Sequence, residues 1–412
     1  MTPFFKLLSV ADSSGLGRVG AGLALAGLLL AAAPPTPAPQ LPLHAVPVVA
    51  AGLPPFELRV PTGHHLSVAA EGLERPRFFA RAPDGRLFVT DLHDRTDNQR
   101  GRIMLLEGWD EAQHRFQRAV PYMEHLHNPN QIAFATAPDG RTTLFVAETD
   151  KLTAFDYEPN GPAPTGPGRV LARFPAYGLN YKYGGWHLTR SLALHQGKLY
   201  VSVGSSCNAC REKEAVRASI LEMNLDGSEA RPYATGLRNA VGLCWVGNQL
   251  WATNMGRDGI GPDEPQDVLT TVRRGGFYGW PFFHQYRQRI KPDPYFVDST
   301  RAAGLRPEPP GLCGFRAHSA PLGLSYFAGY ADPRLNQHML VALHGSTTVG
   351  RLRGNEVVLV TGRDTYVPVV TGFLQGKTEA SRLGRPCDVW QAGPRSFLVS
   401  DDKNGLVYCV WM

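Results

Sequence analysis

The chain lacks the short motifs that mark the commonest enzyme chemistries. It holds no GxSxG nucleophile elbow, no phosphate-binding P-loop, no HExxH zinc helix and no GxGxxG opening a helix after a strand. Those absences argue against serine hydrolase, nucleotide and zinc-protease chemistry built on those motifs. No run of Lys and Arg interleaves with aromatics, so the formal charge of +6 over 412 residues reads as a diffuse basic surface. Nucleic acid is not an expected partner. Cysteine is sparse, at six. Cys207 and Cys210 form a CxxC, but Cys244, Cys313, Cys387 and Cys409 are scattered singly and supply no second pair for zinc. The βαβ context of a thioredoxin-like motif is also missing, so a local Cys207–Cys210 disulfide is expected.

Long apolar runs are equally scarce. The run VGAGLALAGLLLAAA (19–33) follows Lys6 and Arg18 and ends in small residues. That is the order of a signal peptide, and the run is too short for a comfortable membrane span. No Cys lies near its end, which argues against a lipid anchor. Residues 34–55 are Pro-rich and poor in charge, the composition of a linker. The folded domain is therefore expected to begin near Phe56, in a periplasmic or secreted protein.

What the chain does contain is a phrase repeated six times. The copies are FFARAPDGRLFVTD (78–91), IAFATAPDGRTTLFVAET (132–149), LALHQGKLYVSVG (192–204), GLCWVGNQLWATN (242–254), LGLSYFAGYADPRLNQHMLVALHG (322–345) and DVWQAGPRSFLVSDD (388–402). In each, strand-type residues flank a turn of Asp, Gly, Asn or Pro, which specifies a β-hairpin. Most copies are followed by a third apolar stretch. A repeat of this kind implies similar sheets that bury their faces on one another. Six sheets closing a ring make an all-β, six-bladed β-propeller with four-stranded blades. The early segments FELRV and HLSVAA offer a strand to close the last blade, which removes an open sheet edge.

Three segments break the strand pattern and carry useful groups. YKYGGWHLTRS (181–191) brings His187 to the start of the third hairpin, as a general base or as a structural histidine. ATGLRNAVGL (234–243) brings Arg238 and Asn239 to the start of the fourth, where Arg238 is either a fixed positive fork or a solvated turn residue. In residues 254–283, Asp258, Asp263, Glu264 and Asp267 crowd a Gly/Pro-rich loop. Such a loop suits Ca²⁺, although EF-hand spacing is absent and a solvated acidic loop fits the spacing as well.

In order and separation these segments resemble the glucose/sorbosone dehydrogenase family, over nearly the whole chain from about residue 70. Individually the motifs are weak; their joint order is specific. LRNAVGL resembles the family's RNPxGL, GGFYGWP its GGxYGWP, GGWHLTR the segment of its catalytic base, and GRPCDV (384–389) its closing motif. GSSCNAC, AHSAPLGL (317–324) and LVALHGS (340–346) look like the sorbosone-type branch. The resemblance implies pyrroloquinoline quinone (PQQ) and Ca²⁺ on the propeller axis. It implies His187 as base, with Arg238 aiding catalysis. It further implies Arg238, Asn239, His344 and Arg385 as cofactor contacts, and the carbonyls of Gly261 and Pro262 as metal ligands. His344 stands where glucose-type enzymes have a Lys, and Cys387 where their closing motif has a second Arg. The substrate Gln of glucose-type enzymes has no counterpart at the start of the second blade. The implied activity is oxidation of an aldose or sorbosone-like sugar aldehyde, with electrons passed to an external acceptor such as a cytochrome or a quinone pool. The alternatives are a non-catalytic binding propeller and a calcium-dependent propeller lactonase or related hydrolase.

Overall fold

The computed structural model describes residues 41–176, 186–346 and 352–412. The expected export segment 1–33 lies outside these residues, as do residues 181–185 of the His187 segment.

Six antiparallel sheets of four strands form the six expected blades, the third extended by a short fifth strand. Their innermost strands are Pro76–Arg81, Gln131–Thr136, Arg190–His195, Ala240–Val246, Pro321–Tyr326 and Pro386–Gly393. Each repeated phrase supplies the innermost strand and its neighbour, because a tight turn can join only adjacent antiparallel strands. The one long gap in the repeat falls in the fourth blade. There the chain leaves after Asp267–Val272, makes a small hairpin of Phe283–Tyr286 with Arg289–Pro292 and the short helix Val297–Ala303, and returns as the outer strand Cys313–Phe315.

The N-terminal part departs from expectation. Residues 34–55 do not form a linker throughout: Leu43–Val48 (β1) is a strand, paired with Phe56–Pro61 (β2). Val48, Leu58 and Val60 are buried with Phe327, Val357 and Phe373 between the fifth and sixth blades. Only Val48 of LHAVPV is fully buried, and the prolines in and around it hide the strand from a reading of composition. The next strand, His65–Ala70 (β3), is the outer strand of the sixth blade, against the C-terminal strand Leu406–Trp411. A strand from the N-terminal part thus completes the sheet of the C-terminal strands and closes the ring. Leu58 is fully buried. Leu58→Ala should therefore cost about 2–5 kcal/mol, read by urea unfolding. A loss under about 0.5 kcal/mol, the range of exposed positions, would show that β1 and β2 lie outside the cooperative unit.

Six apolar clusters fill the six gaps between neighbouring blades. Hydroxyls on the second strands add cross-blade ties. Thr90 donates to the carbonyl of Asn130 (2.7 Å), Thr253 to that of Leu322 (2.8 Å) and Ser400 to that of Arg77 (2.7 Å). A seventh cluster, Phe78, Val241, Leu322 and Cys387, plugs the axis near the starts of the innermost strands. Cys387 is an apolar filler there, its thiol pushed up by burial. Met255 packs on this plug and also lines a cleft at that end of the ring.

Candidate active site

The cleft has a volume of about 370 Å³ and is lined by His187, Arg238, Asn239, His344 and Arg385 among others. These five come from four different blades. They meet because each lies at, or just before, the start of a first or just after the end of a second strand, and those ends converge around the axis.

His187 precedes the third blade's innermost strand. Its Nδ1 lies 2.9 Å from the carbonyl oxygen of Ser205 and 3.1 Å from the Ser205 hydroxyl oxygen. A carbonyl can only accept, so Nδ1 carries the hydrogen and Nε2 keeps its lone pair. Burial, aided by the charge of Arg238, pushes the imidazole down to about 3. Gly204 makes the packing possible: a Cβ there would lie 2.5 Å from the His187 Cβ and 2.6 Å from Oδ1 of Asn239. Asn239 is held by its backbone N–H on Asn254 (3.0 Å) and by its amide on the Met255 sulfur (3.4 Å).

Arg238 is buried, with Nε on the carbonyl of Asn208 (3.0 Å) and Nη2 on Asn208 Oδ1 (3.1 Å). Its nearest carboxylate, Asp258, is 3.9 Å away and half exposed. Burial lowers its pKa, only partly offset by Asp258 and Asp267. Arg385 donates to the carbonyls of His344 (3.2 Å) and Gly345 (2.6 Å). Among the described residues no carboxylate lies within ion-pair distance of it. Burial is the main cause that pushes it down to about 10; Asp402 opposes, while Arg382, Arg95 and Arg75 add to the fall. His344 points Nε2 at Oδ1 of the buried Asp402 (2.8 Å). Arg75 (3.0 Å) and Arg77 (2.8 Å) also reach Asp402. Burial alone would raise that carboxyl, but His344 and the two arginines hold it well below the usual carboxylate range.

Arg77, Arg95, Asp267 and His318 also line the cleft. The sequence offered no signal for Arg77, Arg95 or Asp402, because nothing local distinguishes them from surface charges. His318 lay inside AHSAPLGL and was legible only as part of that motif. It contacts Asp258 (2.9 Å), and this hydrogen bond raises its pKa. Asp267, expected in the metal loop, is buried and accepts the backbone N–H groups of Gly256 and Ala320 at 2.8 Å each. Burial raises it to about 6.

Gly261 and Pro262 do not line the cleft with the others. The carbonyl of Pro262 accepts Nη1 of Arg353 (2.9 Å), which also pairs with Asp263 (2.7 Å). The carbonyl of Gly261 faces Nε2 of His318 at 3.4 Å. A guanidinium on the expected ligand pair repels a dication, so this pair does not fit calcium as arranged. Cys207 and Cys210 form a disulfide, and the other four cysteines are free thiols. Among the described residues, the one group of His, Cys, Asp or Glu gathered tightly enough for a metal is Cys207, Cys210 and Glu212, whose sulfurs the disulfide consumes.

The family described as TrAA12-like matches residues 58–270, just over half of the chain. The chain belongs to the TrAA12-like family. A second family, described as Glucose / Sorbosone dehydrogenase, matches residues 178–369 of this TrAA12-like protein. The two matches overlap, so the sorbosone-type branch is not singled out. Among solved structures, the holo form of the pyranose dehydrogenase PQQ domain from Coprinopsis cinerea is 19% identical, with a TM-score of 0.68, covering 89% of this chain and 100% of that one. The calcium structure of a Trichoderma reesei protein of Carbohydrate-Active Enzymes Family AA12 is 17% identical, with a TM-score of 0.67 and coverage of 90% and 98%. The apo-form of the soluble aldose sugar dehydrogenase from Escherichia coli is 16% identical, with a TM-score of 0.56 and coverage of 84% and 99%. These likenesses show the fold alone, a six-bladed β-propeller. A curated relative, an uncharacterized protein of Borreliella burgdorferi, is 28% identical over 228 residues, which span 52% of this chain and 57% of that protein.

Proposed function

We propose that this TrAA12-like protein oxidises an aldose or sugar aldehyde with PQQ held in the cleft, and passes the electrons to an external acceptor such as a cytochrome or a quinone pool. The observation that carries the reading is the pair of buried guanidiniums, Arg238 and Arg385, facing one cleft with lowered pKa. Each is a buried cation whose charge the protein only partly balances, and a multiply anionic ligand relieves both. When bound, PQQ supplies three carboxylates for such cations and a quinone carbonyl that accepts a hydride.

The chain's own residues do the rest. Ser205 holds His187 in place, packed over Gly204. His187 Nε2 takes the proton from the substrate hydroxyl, because Nδ1–H is committed to Ser205. Arg238 places a fixed positive charge where negative charge grows. Arg385, resting on two carbonyls, and His344, resting on Asp402, orient the anionic ligand. No step is assigned to calcium, given Arg353 on the Pro262 carbonyl. A hydrolase reading would need several free carboxylate or Asn ligands around a metal; the cleft instead presents Asp258 and Asp267 amid arginines.

The deciding experiment adds PQQ to purified protein, with and without Ca²⁺, and follows dye reduction with a panel of aldoses and sugar aldehydes. Saturable PQQ binding with sugar-dependent reduction is expected. Binding without turnover on any sugar would leave a binding propeller; no binding would remove the reading altogether.

Export belongs to the same proposal. The disulfide suits an oxidising compartment, and among the described residues no helix is long and apolar enough to cross a membrane. N-terminal sequencing of the mature protein should begin after residue 33. A mature chain that starts at Met1 would refute cleavage.

A further inference from the structure

Four residues close the smallest loop beside the cleft: Cys207, Asn208, Ala209 and Cys210, joined by the disulfide. None of them lines the cleft. Yet Asn208 touches two segments that build it, those of Arg238 and Asp258, and a third behind it at Trp280. Its carbonyl accepts Arg238 Nε (3.0 Å) and the Trp280 indole N–H (3.1 Å). Its side-chain Oδ1 accepts Arg238 Nη2 (3.1 Å) and the backbone N–H of Asp258 (2.8 Å), and its amide donates to the carbonyl of Asp258 (2.9 Å). The same loop steadies the base. Ser205, whose carbonyl orients His187, donates its hydroxyl to the carbonyl of Cys207 (2.7 Å) and its backbone N–H to that of Arg238 (2.7 Å).

A long guanidinium in an open cleft would lose much rotamer freedom on meeting a ligand. Here two of its donors are already fixed by a residue that is itself pinned by three further hydrogen bonds. A disulfide across three residues limits the alternative backbone paths of that residue. We propose that Asn208 is a positioning residue: held in the Cys207–Cys210 loop, it aims the Arg238 guanidinium into the cleft and locks it to the Asp258 segment before the anionic cofactor arrives. This rests on the reading of the cleft as a PQQ site. It adds a residue that acts through Arg238 and touches no ligand.

The test is a double-mutant cycle on PQQ affinity, read by fluorescence quenching of the purified protein and independent of turnover. Asn208→Ala removes the side-chain contacts and leaves the backbone carbonyl. It should weaken PQQ binding by about 5- to 20-fold, part of the worth of a hydrogen bond to a charged group, because the guanidinium keeps its bond to the Asn208 carbonyl. In an Arg238→Met background the same change should cost less than about twofold, since its target is gone. Asn208→Asp keeps the shape of the side chain and sets a carboxylate on Arg238. It should stay folded, the new ion pair with Arg238 offsetting the lost amide donor to the Asp258 carbonyl, and weaken PQQ binding at least as much as Asn208→Ala, because the carboxylate competes for the guanidinium. This second variant also decides the matter if Asn208→Ala fails to fold. Equal costs of Asn208→Ala in both backgrounds, or undiminished affinity in Asn208→Asp, would overturn the positioning role. Wild-type protein that binds no PQQ would overturn the cofactor reading and this inference with it, a result distinct from wild-type binding that the Asn208 variants leave intact.

Discussion

His187→Ala is expected to lower sugar-dependent turnover by about 10²- to 10⁴-fold, the usual worth of a positioned general base. PQQ affinity should change little, because the imidazole acts on the substrate proton. The acid limb of kcat/KM in the wild type gives a second readout. His187 is buried and pushed down to about 3, so it stays neutral far below the range of a free imidazole. The limb should fall below about pH 5. A midpoint at 6–7 would count against His187, as would retention of full PQQ-dependent activity in His187→Ala. The sign for stability follows from the same burial. Between pH 6.5 and about 3 the unfolded chain binds a proton at His187 that the folded one refuses, so this group destabilises the fold as pH drops through that window.

Arg238→Met is expected to separate binding from stability. PQQ affinity should fall by about 10- to 100-fold with loss of a charge-assisted contact, and turnover should fall with it. The free protein should not lose thermal stability, and should gain slightly. Burial already disfavours the charged guanidinium, and a Met of similar length removes that cost. The acceptors on Asn208 are not orphaned, since Trp280 and the Asp258 N–H still reach them. Thermal scans of the apo-protein beside PQQ titrations check both halves. A clear drop in the midpoint with unchanged affinity would make Arg238 a structural residue and end its proposed role.

Arg353 shows how much a single contact decides. The motif GGFYGWP anchors the loop before it, and its likeness to a calcium loop was legible. Which cation meets the Pro262 carbonyl was not, because Arg353 comes from the fifth blade, 91 residues further along the chain. The linker expected over 34–55 fails for a related reason: proline content is local, whereas burial of Val48 depends on Phe327 and Phe373 being there to cover it.

The sequence by itself determined the ring. Six hairpins are set by alternation and turn residues a few positions apart, and a blade with two apolar faces has no stable partner except another blade. It also marked His187, Arg238, Asn239, His344 and Arg385, since motifs are written in consecutive residues. Only the tertiary structure decided what those groups meet. Ring closure brought Asp402 to His344, Arg75 and Arg77. It stripped water from Arg238 and Arg385, and set Asn208 against Arg238 across 30 residues. Charge, burial and pKa depend on neighbours from other blades, and the chain specifies those neighbours only once it has closed on itself.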